Sequence, residues 1–331
     1  MRRQNLTRLL VPAIAIAVVL IAAHSAVWFW ATGRVADELQ AWSTARRAQG
    51  WTVAYTLPER EGWPLHAQIR VADLAVAAND VAYRARAAVI GVALLQPMRL
   101  VVSPQGDQSI AAARGARIAF TARRTELSTP VDPMPSSADV AIDDLQIAAD
   151  LATGLGPIAA AQITLHLEGL DAATQRLSLQ ASGIDVPPAS PLAAVGPQIA
   201  RAKLAATLSR PQPAPAAWRD AGGTLVIQAL HLDWGRLSLD AEASLHLDQA
   251  LQPEGQGRAR LMGIDDTLDR LVAAHLVQPR GAMAAKAVLA LLARPSEDPG
   301  ALPMIDVPVA LADRTLRLGS FPLARLPVIG W

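Results

Sequence analysis

Residues 236–248, RLSLDAEASLHLD, decide the fold class of this chain. Apolar and polar side chains alternate through the whole stretch. This alternation predicts a β-strand with one buried and one wet face, because successive side chains of a strand point to opposite sides of the sheet. A wet face favours antiparallel pairing over the sealed parallel sheet of a nucleotide-binding fold. The candidate apolar sheet face consists of Leu237, Leu239, Leu245 and Leu247.

The same two-residue period recurs along most of the chain after residue 50. In Leu65–Val76 the apolar set changes sides at Asp73, which predicts a bulge or bend. Shorter helical patterns follow Asp265 and span Ala282–Ala293, before a predicted terminal hairpin of Ile305–Leu311 and Thr315–Leu318. The predicted fold class is therefore α+β, with an N-terminal transmembrane helix followed by long, mainly antiparallel β-sheet and a few covering helices.

The N-terminus has the composition of a membrane anchor. Leu9–Ala31 is apolar except for His24, and a helix of this length spans roughly 30 Å of hydrocarbon. The basic residues Arg2, Arg3 and Arg8 precede it, and the aromatic residues Trp28, Phe29 and Trp30 stand at its far end. This asymmetry predicts a single pass through the inner membrane, with a cytoplasmic N-terminus and Trp28 and Trp30 in the headgroup layer. The main domain is then periplasmic.

A cleaved signal peptide is the alternative interpretation of the same residues. Ala23-His24-Ser25 offers small residues at a cleavage position, and either interpretation exports the rest of the chain. Under the anchor interpretation residues 1–31 are the basic leader and anchor, 32–50 an amphipathic connecting helix, and 51–331 the periplasmic β-rich domain. The connecting helix carries an apolar stripe of Val35, Leu39 and Trp42. The Pro-rich segment 210–217 is a candidate break between two subdomains, and Ser128–Ser137 is a second loop by composition.

Composition narrows the classes of function. The formal net charge is +1 and no block of basic residues occurs, so the sequence lacks the basic surface that is typical of nucleic-acid-binding proteins. The chain has no cysteine, which excludes disulfides, thiol chemistry and cysteine metal sites.

The candidate chemical groups are few. His231 with Asp233 and His246 with Asp248 each lie on one side of a predicted strand, a spacing at which they hold a metal if strands pair suitably. Solvated strand edges explain both pairs equally well. The carboxylates Asp265, Asp266 and Asp269 suit the first turn of a helix without any further role. The chain contains no HExxH, GxSxG, GxGxxG or P-loop motif, so no catalytic, cofactor-binding or metal residue is assigned and no cofactor is predicted.

Several stretches together resemble a known family. The run AHSAVWFW, then AWSTARRAQGWTV, EGWPL, the segment LHLDWGRLSLDAEASLHLDQALQPEGQGRARLMGID and the closing LRLGSFPLARLP are similar to the uncharacterised bacterial envelope family called domain of unknown function 2125. The resemblance implies a fold and an envelope location, and supplies no catalytic residues. The long strand, a turn at Pro253-Glu254-Gly255 and a returning strand more loosely resemble AsmA-like envelope proteins, which implies lipid handling.

The sequence therefore predicts a membrane-anchored periplasmic protein without catalytic activity, in envelope lipid binding or envelope maintenance. Its partners are the inner membrane and either lipid or envelope proteins. The physical basis is a set of strands with one strongly apolar face, which forms a groove for acyl chains if helices leave it uncovered. Two alternatives stay open: a hydrolase or metal-dependent enzyme whose site is assembled from distant residues, and a purely structural or protein-interaction module.

Overall fold

The computed structural model describes residues 2–78, 81–112, 117–131, 137–148, 156–171, 173–212, 214–294, 304–319 and 321–330. The chain forms two compact units, Met1–Pro135 and Ser136–Trp331. Their boundary falls in the predicted loop Ser128–Ser137, but its first three residues belong to the strand Arg124–Pro130 and its last residue begins the strand Ser137–Ile147. Residues 132–136 lie outside the described residues. The segment 210–217, where the sequence predicts a break, lies inside the second unit and connects two paired strands; Pro213 is outside the described residues.

The described part of the first unit is one long helix and a set of antiparallel strands. Their bounds are α1 Arg2–Ala48, β1 Thr52–Ala54, β2 Glu59–Glu61, β3 His66–Ala78, β4 Val81–Ala93, β5 Gln96–Ala112, β6 Arg117–Thr121 and β7 Arg124–Pro130. Both β1 and β2 pair with β3, which pairs with β4, and β4 pairs with β5. β5 is followed by β6 and β7 as its antiparallel partners.

The predicted change of parity in β3 is present at Asp73. This residue has a φ of 52°, while Ala72 and Leu74 keep their register against Ala87 and Ala85 of β4. The buried residues are Ile69 and Val71 before the bend and Leu74 after it. A left-handed residue within the strand therefore moves the apolar side chains to the other parity while they still face the same core.

Helix α1 is continuous from Arg2 to Ala48, and within the described residues it is the one helix long and apolar enough to span a membrane. Its C-terminal half packs against β3 and β4 through Val35 and Leu39, as predicted. The third predicted stripe residue, Trp42, is exposed, and Ser43 is buried in its place. Residues 28, 32, 35, 39 and 43 recur every three or four positions and share one helix face, and Trp42 lies at the edge of that face, about 60° from its centre.

The second unit is largely an up-and-down sheet. Its elements are β8 Ser137–Ile147, β9 Ile158–Asp171, β10 Thr174–Asp185, a 3₁₀ turn Pro191–Ala194, β11 Gln198–Ser209, α2 Pro215–Asp220, β12 Leu225–Trp234, β13 Leu237–Leu247, β14 Pro253–Met262, α3 Ile264–Ala273, α4 Pro279–Leu292, β15 Ala293–Arg294, β16 Met304–Ala312, β17 Thr315–Leu318 and β18 Phe321–Arg325.

Each strand from β8 to β14 pairs antiparallel with the next, and β14 pairs with β16 after two intervening helices. The predicted terminal hairpin is β16 with β17. The predicted turn at Pro253-Glu254-Gly255 is wrong, since these residues pair with Leu247, His246 and Leu245 inside the sheet. The turn lies at Asp248–Gln252, where Asp248 Oδ1 accepts a hydrogen bond from the Gln252 N–H at 2.7 Å and Leu251 has a φ of 58°. The observed fold class is the predicted one.

Candidate functional site

One face of the second unit is apolar from strand to strand. In one row Leu165 of β9 stands opposite Leu179 of β10, which stands opposite Leu204 of β11 and then Leu230 of β12. Ala241, Ala259 and Val307 continue that row across β13, β14 and β16. A neighbouring row consists of Ile163, Ala181, Ala202, Leu232, Leu239, Leu261 and Ile305. We call this surface the apolar face.

Helices cover one end of the apolar face. Ala259, Leu261, Ile305 and Val307 form a buried cluster, and Ile264 of α3 and Leu289 of α4 pack against it. At the other end Leu165, Leu179, Leu204 and Leu230 are only half-buried, and Leu167 is exposed. Within the residues that the structure describes, the strands from β8 to β12 thus carry aliphatic rows that remain partly open to solvent.

The four predicted face residues all lie on the apolar side of β13. Leu237 and Leu239 pack against the covered cluster, Leu247 is buried, and Leu245 is half-buried opposite Leu225 and Gly255. They belong to the better covered end of the face. The more open leucines on β9 to β11 were not singled out from the sequence, although the alternation of Ile163, Leu165 and Leu167 with polar residues is a signal that predicts the first of these strands.

The opposite face of the same sheet is polar and carries paired charges. His166 Nδ1 lies 2.6 Å from Asp139 Oδ1, Arg176 Nη1 is 3.3 Å from Glu168, and Arg260 Nε is 3.7 Å from Asp306. Two open troughs of about 800 and 280 Å³ run between its side-chain rows, with Gln228, Glu242 and Arg258 common to both. These troughs are shallow, and charges of both signs line them, so they select no ligand of one charge.

His231 and Asp233 are brought together on this polar face, as their spacing suggested. His231 Nε2 lies 3.0 Å from Asp233 Oδ2, and His231 Nδ1 lies 2.8 Å from Asp240 Oδ1. Ser238 Oγ donates a hydrogen bond of 3.0 Å to Asp233 Oδ1. Asp240 was missed because its place opposite His231 depends on the hairpin register. The two-residue turn Gly235-Arg236, with a φ of 60° at the glycine, is the signal that sets this register.

The electrostatics of this cluster favour an ion pair. Hydrogen bonds to Asp240 and then to Asp233 raise the pKa of His231 above its ordinary value. Burial alone raises the pKa of Asp233, but hydrogen bonds from His231 and Ser238 outweigh it, so the pKa is lowered. Both ring nitrogens lie within hydrogen-bonding distance of a carboxylate oxygen, which accepts a hydrogen bond, so the doubly protonated imidazolium is favoured. A histidine with both nitrogens so bonded has no lone pair to offer a metal.

The other candidate groups are separated by the fold. His246 Nε2 lies 3.9 Å from Glu254, whereas Asp248 bonds the backbone of its own turn. Asp266 pairs with Arg236 at 2.9 Å and Asp269 with Lys286 at 2.7 Å, and Asp265 is an exposed residue in the first turn of α3. Among the described residues, no group of three or more His, Asp and Glu side chains is arranged to hold a metal ion.

One of the predicted anchor residues, Trp28, does not have the environment expected of it. Trp30 is exposed, and its predicted place in the headgroup layer stays a prediction. Trp28 is only 7% exposed, and its indole N–H donates a 2.8 Å hydrogen bond to the carbonyl of His66 at the start of β3. Trp28 therefore faces the folded unit instead of lipid. Arg2, Arg3 and Arg8 lie in the first turns of α1.

Comparison with known proteins gives one match. A family model described as "Uncharacterized protein conserved in bacteria (DUF2125)" matches residues 28–327. The match begins at Trp28, whose indole N–H bonds the start of β3. No curated protein and no solved structure matches the chain.

Proposed function

The chain belongs to the DUF2125 family, and we propose that it is a membrane-anchored, non-enzymatic protein of the bacterial envelope. In this proposal its apolar face binds the acyl chains of lipids. The single observation that carries this proposal is the continuity of the half-open aliphatic rows across paired strands. A protein that needed only an ordinary core would gain stability by covering these rows.

The dimensions of the apolar face suit a long, thin hydrocarbon ligand. The half-open part of this face extends over five strands, β8 to β12, which are separated by four spacings of roughly 4.8 Å, so it measures about 19 Å across the strands. An acyl chain gains about 0.8 kcal/mol for each CH₂ group removed from water. Weak contacts spread along the rows thus add up to useful affinity without any single indispensable side chain.

The proposed topology rests on charge and length. Arg2, Arg3 and Arg8 precede the apolar span, and basic residues remain on the cytoplasmic side of bacterial membranes. The folded units are then periplasmic, and the anchor lies in the inner membrane. A C-terminal fusion to a reporter enzyme that works only after export is expected to be active. An inactive, stably expressed fusion contradicts this topology.

Site-specific photocrosslinking in the full chain tests lipid binding. The photoreactive amino acid p-benzoylphenylalanine is placed at Leu179, on the half-open part of the apolar face, or at its neighbour Gln180, on the exposed polar face. Cells are labelled with radioactive phosphate before irradiation. We expect phospholipid adducts from position 179 and none from position 180. Equal labelling at both positions, or none at 179 in a folded protein, refutes lipid binding by this face.

A further inference from the structure

The first unit exposes large apolar side chains at one end of its strands. Trp63 and Leu65 precede β3 and are 54% and 60% exposed, and Leu95 in the turn between β4 and β5 is 89% exposed. Met98 and Val131 are exposed at the same end, where the Val131 N–H donates to the carbonyl of Met98 at 2.9 Å. We call these five side chains the apolar rim.

The position of Leu65 shows that the apolar rim is distinct from the buried core of the first unit. The alternation of β3 predicts Leu65 on the buried face with Ala67, Ile69 and Val71, which are all fully buried. Leu65 instead lies just before the strand begins, and its carbonyl accepts a 2.9 Å hydrogen bond from the Leu94 N–H. Its backbone is therefore bonded to the turn between β4 and β5 while its side chain is exposed.

The apolar rim lies beside the point at which α1 enters the folded unit. His24 Nε2 donates a 2.7 Å hydrogen bond to the carbonyl of Pro64, between the two rim residues Trp63 and Leu65. Four residues later Trp28 bonds His66. Further along, the Ser43 hydroxyl meets the Tyr55 hydroxyl at 3.2 Å and Arg47 donates to the carbonyl of Val53, which pairs with Val76 of β3. β3 thus runs alongside α1, with its first residue at the end nearer the apolar span.

The depth of these contacts follows from helix geometry. The 20 residues from Leu9 to Trp28 measure about 30 Å, which equals the thickness of a hydrocarbon core. His24 lies about 6 Å before Trp28 on this scale. The loop that carries Pro64 is therefore at the level of the bilayer surface or just inside it. The hydrogen bond between His24 and Pro64 satisfies two polar groups that are costly to leave unpaired at this depth.

We propose that the apolar rim inserts into the leaflet that adjoins the folded unit, so that the unit is held on the bilayer by its strand ends as well as by α1. The proposal rests on the membrane anchoring proposed above. Tryptophan at such a position matches the headgroup layer, while Leu65 and Leu95 reach the acyl boundary. Large exposed apolar side chains gathered at one end of a unit mark an interaction surface, and their position beside the membrane-spanning helix identifies the bilayer as the partner.

The absence of cysteine from the chain allows a direct test in the full-length protein. Single cysteines are introduced as Leu95→Cys in the apolar rim and Leu57→Cys as a matched control. Both leucines are 89% exposed. Leu57 follows Thr56, whose N–H bonds the carbonyl of Ala72, so it lies six residues, or about 20 Å, further along β3 than His66. Each variant is labelled with an environment-sensitive fluorophore and reconstituted into phospholipid vesicles containing nitroxide-labelled lipid.

We expect blue-shifted emission and quenching by the nitroxide lipid at position 95, and water-like, unquenched emission at position 57. Ile16→Cys in the exposed apolar part of α1 reports the anchor itself. Quenching at position 16 without quenching at position 95 refutes insertion of the apolar rim and leaves the membrane anchor supported. The absence of quenching at position 16 refutes membrane anchoring by α1, and with it the insertion of the apolar rim.

Discussion

Replacement of Leu239 by aspartate tests the sidedness of the second unit. Leu239 stands opposite Leu232 and Leu261 in the adjacent strands and packs against the buried cluster beneath α3 and α4. Loss of a half-buried leucine removes about 1 to 1.5 kcal/mol of hydrophobic stabilisation. A carboxylate in this poorly hydrated place costs roughly a further 2 kcal/mol. The expected loss is about 3 kcal/mol, which lowers the midpoint of thermal unfolding of a unit of this size by roughly 6 to 12 °C.

The control variant has to be chosen on the polar face of the same strand. The adjacent Ser238 is unsuitable, because its hydroxyl bonds Asp233 and a carboxylate there would repel Asp233 and Asp240. Ser244 is exposed on the same strand, and Ser244→Asp is expected to cost less than about 0.5 kcal/mol. Leu239→Asn separates lost packing from added charge. Thermal unfolding of the purified full-length proteins, followed by circular dichroism, measures all three. Equal shifts for Leu239→Asp and Ser244→Asp refute the assignment of the faces.

Three further expectations concern single side chains. Trp28→Phe retains most of the buried ring but loses the bond to His66, so we expect a loss of about 1 kcal/mol in thermal unfolding, whereas an unchanged midpoint shows that this bond contributes nothing. The raised pKa of His231 means that its stabilising contribution is complete below the unfolded-state pKa of about 6.5 and disappears as the pH rises through the folded-state value. The difference in melting midpoint between the wild-type protein and His231→Ala should therefore shrink from pH 6 to pH 9, and a difference that grows with pH contradicts the ion pair. In a strain with an envelope phenotype, single alanine variants at candidate chemical groups should complement the deletion, and a stably expressed variant that behaves like the deletion removes the main support for a non-enzymatic function. The residues to test are His231, Asp233, His246, Asp248, Asp265 and Asp269.

Local patterns predicted those parts of the fold that depend on neighbouring residues alone. The alternation around Leu239 predicted β13, and the change of parity at Asp73 predicted the bend in β3, because a period of two residues depends only on which side of a strand is covered. The terminal hairpin was predicted for the same reason. In each case the hydrophobic pattern and the backbone geometry agree over several residues.

Other features depend on information that a local pattern does not contain. Trp28 belongs to the same apolar run as Ile21 and Val27, yet it is buried against protein whereas they are exposed. Lipid and a protein core both select apolar side chains, so composition does not mark the change from one to the other. The turn was predicted at Pro253-Glu254-Gly255 because such residues favour turns, but Asp248 makes the turn earlier and leaves Pro253 to start β14. The sequence did not show which leucine rows stay half-open, because the exposure of these rows depends on where α3 and α4 lie.

With α1 as the proposed membrane anchor, the continuity of this helix couples the direction of the first unit to the thickness of the bilayer. The helix is uninterrupted to Ala48, and its C-terminal part is joined to the strands through Trp28 with His66 and through Arg47 with Val53. In the proposed anchoring, the part from Trp28 to Ala48 extends about 30 Å beyond the hydrocarbon core. At the tilt of about 20° common for such helices, its far end moves sideways by about 10 Å. Because a thinner bilayer increases hydrophobic mismatch and hence tilt, the direction of the first unit is coupled to the lipid around its anchor.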